Sequence, residues 1–249
     1  MPESCVAARR KSDRPLGFMD LPAELRIEIY RDVLYSEDLM SYFEEPFPRK
    51  YVRDHICIPL ALVSNQIFHE LTDVYYTEAF CKVYLGALLL DKCSIEGMRD
   101  LHYMKNLSFR GANDRKGDIN RIKKVVDKIV YLAGLTGKPL RSLEMESSCK
   151  RSNTETALTL MESLKDVEVL DCVTLYVEPD LLCDGMKPGS TDSQLLIDDF
   201  TKFVGGKEID VEFVPAWGVN YGDDPDGKDW HWYNLLLSCE GRKKPTGRG

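Results

Sequence analysis

Residues 140–178 read LRSLEMESSCKRSNTETALTLMESLKDVEVLDCVTLYVE, and their pattern changes twice. Leu140 to Glu146 alternates apolar and polar side chains, as a strand with one buried face does. Asn153 or Thr154 then offers a helix cap, and Leu158, Met161 and Leu164 recur at helical spacing. Glu168 to Glu178 contains a second strand. A strand, a helix and a strand in so short a stretch form one βαβ unit, whose strands run parallel because the helix carries the chain back.

The unit repeats on both sides. Upstream, FCKVYL (Phe80 to Leu85) and NLSFR (Asn106 to Arg110) read as strands, with a short helix between them that Ser94 can cap and that runs to about Met104. Gly111 breaks the second strand, and a helix follows with Ile119, Ile122, Val125, Val126, Ile129 and Val130 on its inner side. Downstream come a helix carrying Leu196, Ile197, Phe200, Phe203 and Val204, a stop at Gly205 and Gly206, and a strand in EIDVEFV, Glu208 to Val214. Phe109, Met145, Leu175 and Val211 hold comparable places in these strands, 36, 30 and 36 residues apart. Strand–helix alternation at that period predicts an α/β fold with a mostly parallel sheet, curved as in a stack that resembles leucine-rich repeats. No LxxLxLxxN signature is complete, so an ordinary α/β sheet is the alternative. Trp230 to Cys239 reads as a terminal strand or helix that covers the open end.

The chain has 249 residues, 43% hydrophobic and 30% charged, the balance of a globular protein. Its net charge is −8, which argues against binding nucleic acid through a broad basic face. Arg9, Arg10, Lys11 and Arg14 near one end, with Arg242, Lys243, Lys244 and Arg248 near the other, concentrate positive charge in two short tails. The body between them is more acidic still. The longest apolar run, Tyr84 to Leu90, is far shorter than the roughly 20 residues of a spanning helix, and charges at Lys11, Asp13 and Arg14 interrupt any leader. No membrane association is expected. Eight scattered cysteines without a CxxC pair fit free thiols in a reducing compartment, hence a cytoplasmic or nuclear location.

Catalytic signals are sparse. His55, His69, His102 and His231 stand far apart, and His55 with Cys57 has no second pair at zinc spacing. Gly134 to Pro139 lacks the spacing and the hydroxyl of a phosphate loop, and reads as a helix stop and turn. Gly222 to Gly227 fails the calcium-loop register and reads as an acidic turn. Trp217, Tyr221, Trp230, Trp232 and Tyr233 either pack the end of the sheet or form a recognition surface. The expectation is a protein that is not an enzyme and needs neither cofactor nor metal.

The opening helix is different. In FMDLPAELRIEIYRDVL, residues 18–34, Pro22 suits a first helical position and Glu24 the positive end of the helix. At 100° per residue, Leu25, Ile29, Val33, Tyr30, Leu34 and Ile27 span about 200°, interrupted only by Arg26. A helix serving one core needs roughly half that width. Two neighbours on two flanks are expected. A connection rich in acid and proline spans residues 36–55, and a second helix begins after Pro59 with Leu60, Val63, Ile67, Leu71 and Val74 in one stripe.

These helices resemble an F-box, particularly the fungal F-box-like group. The resemblance is carried by Phe18, Leu21-Pro22, Glu24-Leu25, Ile29-Tyr30 and Leu34, then by Leu62-Val63-Ser64, Gln66-Ile67, Glu70, Tyr76 and Phe80. The stretch from Ser36 to Ile58 is longer than a compact F-box connection, and Asn65 stands where such motifs commonly carry a basic residue. The resemblance implies an adaptor: Leu21, Pro22, Leu25, Ile29 and Leu34 would lie at or near a surface that docks on the bridging subunit of a cullin-type ubiquitin ligase. The α/β region would hold a protein substrate. An interaction or structural protein unrelated to ubiquitin is the other reading. The organisation expected is a disordered tail at 1–16, an F-box-like helical module at 17–85, an α/β repeat-like region at 86–240 and a disordered basic tail at 241–249.

Overall fold

A computed structural model of the chain describes residues 17–36, 64–85, 101–111, 119–147, 153–178, 187–216 and 232–242. Its described helices are α1 (Ala23–Ser36), α2 (Asn65–Glu78), α3 (Ile119–Leu132), α4 (Asn153–Leu164) and α5 (Thr191–Phe203). The strands are β1 (Phe80–Tyr84), β2 (Asn106–Arg110), β3 (Leu140–Ser147), β4 (Val169–Val177), β5 (Asp210–Ala216) and β6 (Trp232–Arg242). The fold is α/β. One sheet takes all six strands in the order β1-β2-β3-β4-β6-β5, with the first four parallel.

Sequential order is the geometric signature of same-handed crossovers, which stack successive helices on one face of a sheet. Accordingly α4 touches both α3 and α5. Alternation along each strand then sorts the side chains. Val83, Phe109, Met145, Leu175, Leu237 and Val211 lie side by side across the sheet. All but Val211 are buried, and they join the helices' apolar residues in one core. The alternate residues, among them Tyr84, Tyr176 and Leu236, stay outside that core on the opposite face.

The expected row Phe109, Met145, Leu175 and Val211 is therefore present, with one insertion. β6 does not cover the open end of the sheet. It enters between β4 and β5 and runs antiparallel to both, so Leu237 separates Leu175 from Val211. The physical reason is demand for partners: β4 has one open edge and β5 has no other partner, and a strand with Leu235, Leu237 and Cys239 facing inward joins the two.

Local signals set most of the boundaries. Ser64 caps α2 by accepting from the Gln66 amide at 3.2 Å, so this helix starts at Asn65 and not after Pro59; Leu60 and Val63 lie outside the described residues. Two residues past the end of α3, Gly134 takes the left-handed conformation (φ 59°) before a short turn into β3, as the glycine spacing implied. Gly205 and Gly206, at φ 79° and 74°, close α5 in the same way. Asn153 opens α4 from within, and its side-chain amide donates to the Glu178 carbonyl at 2.6 Å, tying the helix to the end of β4. Residues 241 and 242, expected in the basic tail, belong to β6, and 243–249 fall outside the described residues. The 1–16 tail, the connection beyond Ser36, the Ser94 cap and the acidic turn at 222–227 fall outside the described residues.

α1, α2 and the sheet share one core. β1, which follows α2, pairs with β2, and Tyr30 and Leu34 of α1 belong to the same apolar cluster as Phe109.

Truncating Leu237 to Ala should cost about 2–5 kcal/mol, as for a fully buried leucine, while Val211→Ala at the edge should cost under about 1 kcal/mol. Urea unfolding measures both. Equal costs would contradict the placement of β6 inside the sheet.

Candidate interaction surface

The inner side of α1 is fixed by an ion pair. Arg26 is only 7% exposed. Its guanidinium donates to both carboxylate oxygens of Glu70 on α2, at 2.9 and 2.7 Å, and to the Leu21 carbonyl at 2.6 Å. The Tyr30 hydroxyl donates to Glu70 at 3.0 Å, and so does the Gln66 amide at 2.9 Å. Glu70 thus accepts from three side chains, which satisfies its lone pairs at a half-buried position. Lower on the same helices, Arg31 grips Glu78 at 2.7–3.0 Å. Phe18 closes the top by packing on Tyr30, ring centroids 5.7 Å apart.

Protonation follows from this geometry. The Arg26 guanidinium, with help from Gln66 and Tyr30, pulls the Glu70 carboxyl down to about 2. Burial, then the hydrogen bond to Glu70, pushes the Tyr30 phenol up to about 12.

Arg26, Tyr30 and Leu34 occupy about 100–180° of the helical wheel on which Leu25 stands at zero. Arg26 does not interrupt an apolar arc; it anchors the inner half of it. Leu34 is fully buried there and belongs to the chain's own core. Ile27 and Leu21 are half-buried. The other flank faces outward: Leu25 is 52% exposed and Ile29 39%, with Pro22 exposed beside them and Met19 38% exposed just upstream. Of the five expected docking residues, Pro22, Leu25 and Ile29 share this outer stripe, Leu21 borders it and Leu34 turns away. Met19 is an addition that a helical wheel starting at Pro22 could not have included. Glu24, Glu28 and Asp32 are also exposed and give the stripe an acidic border.

Elsewhere, chemistry is thin. Among the described residues no three His, Cys, Asp or Glu side chains gather as metal ligands do. Nδ1 of His102 sits 3.0 Å from the Ala133 carbonyl, a structural contact at the end of α3. His55, Cys57 and His231 lie outside the described residues. Of the C-terminal aromatic residues, Tyr233 packs edge-on against Phe213 across β5 and β6, centroids 6.4 Å apart. No described helix is long and apolar enough to cross a membrane.

Compared with protein-family models, curated proteins and solved structures, the chain matches none.

Because the Glu70 carboxyl is depressed in the folded state, its stabilising contribution is complete above the unfolded value near 4.5 and disappears as pH falls toward about 2. Glu70→Gln should lower the urea midpoint at neutral pH and remove part of the stability lost across that acidic window. Wild type and variant running parallel from pH 5 to pH 2 would exclude the ion pair as the anchor of α1.

Proposed function

We propose that this chain is a non-enzymatic protein-interaction adaptor, an F-box-like substrate receptor of a cullin-type ubiquitin ligase. The observation that carries the reading is the outer stripe of α1. Pro22, Leu25 and Ile29 stay uncovered although their neighbours Tyr30 and Leu34 have already filled the core. Apolar side chains left out of a core, in a contiguous strip, mark a surface that another protein covers. The same residues carry the resemblance to an F-box. Tyr76, a further carrier of that resemblance, is buried in the shared core, so the sheet is held directly against the helices. Four parallel strands in sequential order support a repeat-like, leucine-rich-repeat type of stack as the substrate-binding part.

In this reading the protein performs no bond chemistry. It docks through α1 on the bridging subunit in the cytoplasm or nucleus and holds a substrate beside the charged conjugating enzyme, raising its local concentration. Leu34 is left out of the docking face because it is spent on the core.

The variant Leu25→Ala/Ile29→Ala should keep its fold, each change shifting stability by about 0.5 kcal/mol or less at exposed positions. It should lose co-purification of the bridging subunit, which the wild type retains. Absence of that subunit from wild-type pull-downs would reject the ligase assignment.

A further inference from the structure

The face of the sheet turned away from the core carries charge that the docking stripe does not use. Tyr84, Arg110, Glu146, Tyr176, Leu236 and Glu212 stand side by side across the six strands. Glu144 lies in the row beside them, with Asp210 at its end. Glu178 extends β4 at the top of the same face, its amide donating to the Ser147 carbonyl at 2.9 Å. None of these side chains packs on the apolar core.

The charges do not balance: Glu144, Glu146, Glu178, Glu212 and Asp210 share the face with two cations, Arg110 and Lys82. Arg110 is spent locally: it pairs with Glu146, donates to the Tyr84 hydroxyl at 3.3 Å and lies 5.7 Å from that ring's centre. Glu144, Glu178, Glu212 and Asp210 form no ion pair with any described cation. Burial pushes the Glu178 carboxyl upward and the Glu146 charge adds to the push, which Arg110 only partly offsets. Negative charge is therefore crowded around the half-buried Glu146 and Glu178, with Glu212 and Asp210 exposed further along the face, and a cation placed beside Glu178 would relieve the crowding. Tyr176, which lies half-buried beside Glu146, offers ring surface for the aliphatic stems and charged heads of Lys and Arg.

The spacing selects among cations. Strands lie about 4.8 Å apart, so Glu146 on β3 and Glu212 on β5, three intervals away, are roughly 14 Å apart. A single metal ion cannot bridge that distance, and nucleic acid is repelled. An extended chain advancing about 3.3 Å per residue spans it with four or five residues.

We propose that this face binds an extended Lys/Arg-rich peptide segment of another protein. The proposal rests on the adaptor reading only for its biological sense, in which the segment is the substrate's recognition element.

Fluorescence anisotropy on the full-length chain at low salt tests it, with labelled (Ser-Lys)4 and (Ser-Glu)4 peptides as probes. The lysine peptide should bind and the glutamate peptide should not. Glu178→Gln/Glu212→Gln, both away from the core, should weaken lysine-peptide binding about tenfold, as loss of two partly exposed charge contacts implies. Equal binding of the two peptides, or an unchanged affinity in the folded double variant, overturns the proposal. So does binding that emerges only in full-length Lys243→Glu/Lys244→Glu, because the occupant would then be the chain's own basic end. The same double variant should still co-purify the bridging subunit wherever wild type does. A missing subunit with intact peptide selectivity would reject the ligase and leave the peptide site standing.

Discussion

A guanidinium held between two helices decides which side of α1 faces inward. Arg26 reaches Glu70 with two parallel hydrogen bonds and the Leu21 backbone with a third, so it cannot turn to solvent without abandoning all of them. Such a bidentate pair is directional in a way apolar packing is not. Once Arg26 points inward, Tyr30 and Leu34 follow at four-residue intervals, and Leu25 and Ile29 must point elsewhere. The outer stripe is a consequence of the inner clamp. An apolar residue in place of Arg26 would leave the helix with oily surface on both sides and little to choose between them.

The sheet extends the same logic of separated faces. Sequential parallel strands put α3, α4 and α5 together, and their side chains seal one face with Cys81, Leu107, Leu143 and Val173 among others. The other face keeps polar and aromatic residues in register. The chain thus presents two surfaces of unlike character: an apolar stripe on α1, and a charged row on the sheet. They are joined by one core that runs from Tyr30 and Leu34 to Cys239, so neither surface is carried on a loose appendage.

Much of this is legible in the sequence, and the limits are physical. Phe109, Met145, Leu175 and Val211 fall in one row because alternation and a regular crossover length leave little choice of register. The strand that separates Leu175 from Val211 leaves no comparable trace. Leu235, Leu237 and Cys239 announce a buried face, but which two strands they pair with depends on edges formed far away in the chain. On α1 the excess apolar width is visible from spacing alone. Dividing it between core and surface needs Glu70, which is 44 residues away from Arg26. Read locally, a charge in an apolar arc looks like a defect; its partner makes it the anchor. The sheet's charged row was hidden for a related reason, since Tyr84, Arg110, Glu146, Tyr176 and Glu212 become neighbours only through pairing.

The outward orientation of α1 toward a partner is most directly tested by photo-cross-linking in cells. Benzoylphenylalanine introduced in turn at positions 25, 29 and 34 reports what each side chain touches. Positions 25 and 29 should each cross-link to one common second protein, the bridging subunit, and position 34 only within the chain itself. Internal products alone from positions 25 and 29 would show that the stripe is covered by this protein's own residues, and the account of α1 as a docking helix would not stand.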